Sequence, residues 1–243
     1  IKRIVLHFIH KRSLVCADSI VAISQYTKSE IILHFGIAEE KIHMIYNGFT
    51  PVCDIPPQTN NTVDKYFLFT GVIKPRKNVL MLVQAYELAR RNQGDVDFPK
   101  LIIVGKGGGA YFQTIKDFVI THKLSGNVIF AGYASREKLQ SLYVNTLALV
   151  FPSLIEGFGL PILEGMQCGV PVITSNTGAM KEIAGNAALL VDPNDTNALA
   201  QALTTISEDS ALRDDLVVKG YARQGLFSWA EAAKQYHEIL RKI

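Results

Sequence analysis

The sequence predicts an α/β fold, a doubly wound parallel sheet with helices on both faces. Two observations carry this. From residue 65 onward, short apolar runs alternate with longer stretches of helical periodicity. The short runs are apolar at successive positions, the mark of strands buried on both faces.

In chain order, SIVAIS (residues 19–24) is a strand. QYTKSEIILHFG follows as a helix, with Ile31, Ile32 and Phe35 at helical spacing and Gly36 as its stop. IHMIYNGF is a second strand, ending at the turn signal Asn47-Gly48. Residues 51–64, PVCDIPPQTNNTVD, lack periodicity and mark a linker and a domain boundary. The regular part then runs strand YFLFTG, helix NVLMLVQAYELARR, strand KLIIVGKG, helix YFQTIKDFVITHKL and strand NVIFAGY. It continues with helix REKLQSLYVNT, strand LALVFPS, helix LPILEGMQC closed by Gly169, strand PVITSN, helix GAMKEIAGN and strand AALLVDP. Helices at 196–207, 208–224 and 229–242 complete it.

The 243 residues are 48% hydrophobic and 19% charged, enough for a sizeable core. A net charge of +3 is too small for a nucleic-acid surface and compatible with an anionic ligand. Cys16, Cys53 and Cys168 are odd in number and far apart. They show neither metal spacing nor a disulfide framework, so reduced thiols and a cytoplasmic location are expected. No apolar run approaches the roughly 18–20 residues that span a bilayer, and no signal peptide is visible. The chain begins with Ile1 in what reads as the middle of something, a fragment or a processed chain. Lys2, Arg3, Lys11 and Arg12 with Ile4, Val5 and Phe8 fit a solvated helix better than peripheral contact with the inner face of an anionic membrane.

Ligands of such sheets sit at the carboxyl ends of strands, and four stretches fall there. The first is SLIEGFGLPILEGMQCGVPVITSN, residues 153–176. Gly157 and Gly159 permit unusual dihedrals and close approach of a ligand, and Pro161 suits the first turn of a helix. Backbone N–H groups at that helix start would face an anion. Glu156 before the turn and Glu164 one turn into the helix can face one cleft and accept hydrogen bonds from paired sugar hydroxyls. The Gly-x-Gly turn alone favours an ordinary strand-turn-helix; both glutamates with Gly169-Val-Pro-Val favour a site.

The second stretch, Gly71-Val-Ile-Lys-Pro-Arg-Lys-Asn78, gathers Lys74, Arg76 and Lys77. Arg grips phosphate bidentately and Lys as a point charge; taken alone, a solvated basic turn is the better reading. The third, LIIVGKGGGA, superficially matches a dinucleotide fingerprint but lacks the acidic residue about 20 positions on. The fourth is NVIFAGYASREKL, in which Tyr133 either stacks on a base or packs elsewhere.

The first block resembles the signature of glycosyltransferase family 4, retaining enzymes of the GT-B fold. Glu156, Gly157, Phe158, Gly159, Leu160, Pro161 and Glu164 all match its pattern of two glutamates with seven residues between them. The resemblance implies a Rossmann-like, nucleotide-sugar-binding C-terminal domain over 65–228. It implies a remnant of the N-terminal acceptor domain over 1–50, including CADSIVAISQYTKSEI, and a crossover helix over 229–243 after Phe227-Ser-Trp229. By the same resemblance, Glu164 holds the donor's ribose and Glu156 contacts its sugar. Phe158 and Leu160, with the backbone of Gly157 to Gly159, meet sugar and phosphate. Arg76 and Lys77, beside Gly71, clamp the diphosphate, and Gly132 and Tyr133 border the base. Many members carry Arg directly after the Gly, where this chain has Val72, so the clamp must draw on Arg76. Glu182 is placed to orient the loop near Thr177 and Gly178. The Gly-x-Gly strand end at 105–107 shapes the cleft floor.

The implied reaction is hexosyl transfer with retention from a UDP-, GDP- or related sugar nucleotide to a lipid-linked or glycan acceptor. Surface polysaccharide synthesis is its setting, with neither cofactor nor metal expected, because cationic side chains take the metal's place. Most of the acceptor domain and the family's histidine are absent; His7 and His10 lie too close to the ADSIVAIS strand to serve and are assigned to the outer face of a helix. The fragment alone is therefore expected to be inactive. Two alternatives remain, a non-catalytic nucleotide-sugar-binding module that needs a separate N-terminal partner, and a nicotinamide-dependent oxidoreductase built on the weak Gly cluster.

Overall fold

A computed structural model describes residues 2–53, 66–94 and 98–242. It divides into two units, one of Ile1–Phe49 with Phe227–Ile243 and one of Thr50–Leu226.

The smaller unit holds α1 (Lys2–Cys16), β1 (Ile20–Ala22), α2 (Gln25–Phe35) and β2 (Ile42–Met44), and α10 (Trp229–Leu240) from the far end of the chain. β1 and β2 pair in parallel, Ile20 opposite Ile42. Ser24 ends β1 by capping α2, its hydroxyl accepting from the Thr27 N–H. β1 thus offers three residues for pairing, and the strand expected over IHMIYNGF stops at Met44. The Ile45 N–H still reaches the Ala22 carbonyl at 2.9 Å. Ile20, Ala22, Ile37 and Ile42 form the core, against Leu14, Ile31, Ile32 and Phe35. His7 is exposed on α1 and stacks on the Phe35 ring at 5.0 Å. Gly48 is required for packing, because a Cβ there would lie 2.2 Å from the Trp229 backbone nitrogen.

In the larger unit the elements are β3 (Tyr66–Thr70), α3 (Val79–Asn92), β4 (Lys100–Val104), α4 (Gly109–Thr121), β5 (Val128–Gly132) and α5 (Arg136–Val144). They continue as β6 (Ala148–Phe151), α6 (Leu160–Gln167), β7 (Val172–Ser175), α7 (Gly178–Ala184), β8 (Leu189–Val191), α8 (Thr196–Glu208) and α9 (Ser210–Gln224). The six strands are all parallel, in the order β5-β4-β3-β6-β7-β8. Every residue of β3, β6 and β7 is buried, so their apolar runs are two-faced core strands. From β3 the chain steps outward to β4 and β5; after β6 it steps the other way to β7 and β8. Right-handed crossovers then place α3 and α4 on one face and α6 and α7 on the other. α8 packs on α3, and α9 packs on α6, where Gly220 lies against Met166. The reversal between β3 and β6 is a topological switch point, the kind of place where a parallel sheet offers a crevice to a ligand.

One expectation is corrected. Cys53 and Cys168 form a disulfide across a separation of 115 residues, and Cys16 alone is free and exposed. Sequence distance concealed the pairing, because residues 51–53 run back onto the end of α6. There the Gln167 amide accepts from the Val52 and Cys53 N–H groups and donates to the Cys53 carbonyl at 2.6 Å. Residues 51–53 are thus docked, with Val52 and Cys53 buried; the remainder of the expected linker, 54–64, lies outside the described residues. Among the described residues no helix is long and apolar enough to cross a membrane.

Candidate functional site

The crevice at the switch point is built by the loops that follow β3 and β6. After β3 the chain passes Gly71 and a single 3-10 turn, Pro75–Lys77, with Pro at its start. Asn78 then caps α3 in the left-handed region, φ 58°, a conformation Asn tolerates better than most residues. Its amide donates to the Pro193 carbonyl at 2.7 Å, pinning the turn to the loop after β8. The neighbouring strand end is tied in as closely. The Gly71 N–H reaches the Val104 carbonyl and the Gly105 N–H the Gly132 carbonyl. A Cβ on Gly105 (φ +145°) would lie 1.9 Å from the Gly71 oxygen. The Gly-x-Gly end of β4 is therefore a packing requirement of the crevice floor.

After β6 the chain is fixed by the Ser175 hydroxyl on the Ser153 carbonyl and by the Leu154 N–H on the Arg76 carbonyl at 2.8 Å. The second bond joins the two loops directly. Gly159 (φ 107°) caps α6, and Pro161 falls in its first turn. Gly157 is not among the positive-φ residues, so of the two glycines only Gly159 uses the freedom expected of both.

This scaffold brings Arg76, Lys77 and Glu156 together. Lys77 Nζ lies 2.6 Å from Glu156 Oε1 and Arg76 donates to Glu156 Oε2 at 2.7 Å. The Lys77 and Glu156 side chains are each 11% exposed, whereas Arg76 is 49% exposed. Lys77 also sits 4.5 Å from the Phe151 ring centroid. Burial lowers the Lys77 pKa and Arg76 adds to this, while Glu156 and Glu164 oppose it. Two cations on one carboxylate leave the cluster net positive, an environment suited to an anion.

Glu164 stands one turn into α6, its carboxylate pushed above the usual range by burial. Tyr143 of α5, fully buried, donates to Glu164 Oε2 at 2.9 Å. The Tyr143 hydroxyl also meets Thr70 Oγ1, at the end of β3, at 3.1 Å. The Tyr143 hydrogen bond to Glu164 and the charge of Lys77 pull the Glu164 pKa back down.

The other expected site residues are distributed around this centre. Gly157 is exposed and Leu160 is 41% exposed at the start of α6. Phe158 differs: its side chain is buried in the core, so it offers the crevice only backbone. Gly132 ends β5 with φ 68°. Tyr133 beside it is 79% exposed, with Lys106 Nζ 5.8 Å from its ring centroid, an open aromatic surface. The Glu182 carbonyl accepts from Arg223, which ties α7 to α9. Among the described residues no three His, Cys, Asp or Glu side chains are grouped to hold a metal ion.

Sequence reasoning missed Tyr143, Thr70 and Asn78. Tyr143 and Thr70 occupy apolar-patterned positions of a short helix and a buried strand, which read as core. Asn78 had a usable signal, since Asn before a helix in a basic turn suits a left-handed cap.

The family described as "Glycosyl transferases group 1" matches residues 54–223, and "Glycosyltransferase Family 4" matches residues 1–51. O-antigen chain mannosyltransferase B of Escherichia coli is 33% identical over 232 residues, 92% of this chain and 60% of that protein. O-antigen chain mannosyltransferase RfbU of Salmonella typhimurium is 29% identical over 208 residues, 86% of this chain and 56% of that protein. Sucrose-phosphate synthase of Thermosynechococcus elongatus superposes with a TM-score of 0.80 at 28% identity, covering 97% of this chain and 61% of that one. Anabaena HepE, in complex with UDP and glucose, superposes with a TM-score of 0.79 at 22% identity, covering 93% and 64%. The chain thus spans 56% to 60% of the length of these two mannosyltransferases.

Proposed function

The chain belongs to the group 1 glycosyl transferases, and from that membership we propose that it binds a nucleotide-diphosphate sugar at the carboxyl ends of β3 and β6. The activity is transfer of the hexosyl group, with retention, to a glycan or lipid-linked acceptor in surface polysaccharide synthesis. Relatives named O-antigen chain mannosyltransferases support the setting, and HepE in complex with UDP-glucose supports the donor class.

The observation that carries the reading is the Arg76–Glu156–Lys77 cluster at the switch point, with Glu164 one turn into the adjoining helix. Breaking the anomeric C–O bond gives the sugar oxocarbenium character and leaves negative charge on the departing diphosphate. Arg76 and Lys77 stabilise that charge, aided by the N–H groups at the start of α6. Half-exposed Arg76 exchanges its bond to Glu156 for a phosphate oxygen, and Lys77 stays fixed. Glu164 accepts from the ribose hydroxyls and Glu156 from the transferred sugar. Gly132 and Tyr133 border the base. The acceptor oxygen attacks the face the diphosphate leaves, and its proton passes to the leaving phosphate. No side-chain nucleophile or metal is called for, because the two cations supply the positive charge.

A thermal-shift panel of UDP-, GDP-, ADP- and dTDP-sugars tests this. One nucleotide should stabilise the protein clearly, and Glu164→Ala should weaken that stabilisation about tenfold or more in ligand concentration. Absence of any stabiliser would count against the site.

A further inference from the structure

Glu164 is largely buried and is held from one side. One carboxylate oxygen, Oε2, accepts from the buried Tyr143 hydroxyl. The other makes no hydrogen bond among the described residues. We propose that Tyr143 is a positioning residue for donor binding, fixing Oε2 so that Oε1 is presented to the hydroxyls of the incoming donor. This rests on the reading of Glu164 given above.

The proton order along this chain follows from chemistry. An ionised carboxylate only accepts, and a tyrosine has one proton, so Tyr143 spends that proton on Glu164. Thr70 must then donate to the Tyr143 oxygen, giving the sequence Thr70 to Tyr143 to Glu164. Tyr143 stays a donor at all working pH values, since burial and the charge of Glu164 push its pKa well above the usual range. The fold places the hydroxyl deliberately. Tyr143 lies in the last turn of α5, and helical side chains lean back towards the N-terminus of their helix, here towards the carboxyl ends of the strands. That last turn is itself anchored, because the Tyr66 hydroxyl donates to the Leu142 carbonyl at 2.8 Å.

The consequence is a pH signature. Burial pushes the Glu164 pKa up, and the Tyr143 bond is the leading influence against it, followed by Lys77. Lys77, whose charge acts on Glu164, is itself paired with Glu156 and lies in the field of Arg76. From the other side α9 presents Gly220 to α6 at Met166, and its Arg223 is engaged with the carbonyls of Glu182 and Ile183. Without the Tyr143 hydroxyl the carboxylate protonates at higher pH, and a protonated Glu164 has lost acceptor capacity on one oxygen.

The experiment is calorimetric titration of UDP-glucose and of GDP-mannose into wild type, Glu164→Ala, Tyr143→Phe and Thr70→Val across about pH 5.5 to 8.5. Whichever probe binds wild type should bind Tyr143→Phe about tenfold more weakly at the acid end. The difference should shrink to about threefold or less at the alkaline end, where the carboxylate is ionised in both. Thr70→Val should move the acid limb in the same direction by a smaller amount, about two- to threefold. Equal weakening at every pH would assign Tyr143 a packing role and overturn the proposal, as would unchanged affinity. If neither probe binds wild type, or Glu164→Ala binds as wild type does, the reading of Glu164 itself fails and takes this inference with it. If Glu164→Ala loses binding while Tyr143→Phe follows wild type, only this inference falls.

Discussion

Removing the Glu156 carboxylate tests how the charge cluster is held together. In Glu156→Ala the Lys77 ammonium, whose side chain is 11% exposed, loses the oxygen 2.6 Å away. Among the described residues it keeps the Phe151 ring and the more distant charge of Glu164. Breaking one side of a buried pair costs about 3–5 kcal/mol, whereas an exposed pair is worth about 0–1 kcal/mol. The Lys77–Glu156 pair lies near the buried end of this range. The Arg76–Glu156 pair, with Arg76 49% exposed, lies near the other. We therefore expect Glu156→Ala to cost about 3 kcal/mol and Arg76→Ala less than about 1 kcal/mol. For a unit of this size, 1 kcal/mol moves Tm by about 2–4 °C, so the two variants should lose about 6–12 °C and less than about 4 °C. The sign of the pH dependence follows from Lys77. A lysine whose folded pKa is depressed weighs on the fold below that pKa, and the penalty fades as pH rises through it towards the unfolded value near about 10.4. The deficit of Glu156→Ala should therefore shrink between about pH 7 and pH 9.5, measured by thermal or urea unfolding. Equal small losses for both variants, or a deficit that grows with pH, would show that Glu156 does not hold a buried, charged Lys77.

Further outcomes follow from the same geometry. Gly105→Ala should cost about 3 kcal/mol or more, because its Cβ would meet the Gly71 carbonyl; Gly126→Ala, which meets nothing within 4 Å, should be near neutral in the same melt. Reducing the Cys53–Cys168 disulfide, or replacing Cys53 with Ser, should lower stability by about 2–4 kcal/mol in urea unfolding. Chain entropy sets an upper bound of about 5 kcal/mol, and non-reducing peptide mapping should recover the linked pair. Glu164→Gln should be more stable than wild type near pH 7 to 8, because a carboxylate with a raised folded pKa opposes folding above that pKa. The advantage should disappear as pH falls through it towards about 4.3, while sugar-nucleotide stabilisation is weakened.

The sequence disclosed the sheet well because its strands are buried on both faces and its helices amphipathic, signals that are local. The run YFLFTG is a strand in any context, and the Gly159-Leu-Pro start of α6 marks its own boundary. Pairings between distant segments were hidden for the opposite reason. Nothing near Cys53 points to Cys168, since their meeting depends on residues 51–53 returning to the end of α6. Tyr143 is invisible in the same way: on α5 it reads as an apolar core position, and only the fold brings its hydroxyl to Glu164 and Thr70. The Phe158 ring is buried, which its place in a glycine turn does not disclose. Arg76, Lys77 and Glu156 were legible as separate charges, but their joining at a single carboxylate follows from the switch point between β3 and β6.

The central claim is that a nucleotide-diphosphate sugar lies at that switch point. The most direct measurement is a crystal structure of the protein with the sugar nucleotide that stabilises it most. The account predicts diphosphate oxygens within hydrogen-bond reach of Arg76 and Lys77, and ribose hydroxyls on Glu164 with the Tyr143 bond intact. A ligand seated at the amino ends of the strands, or one that leaves the Arg76–Glu156–Lys77 cluster untouched, would contradict it.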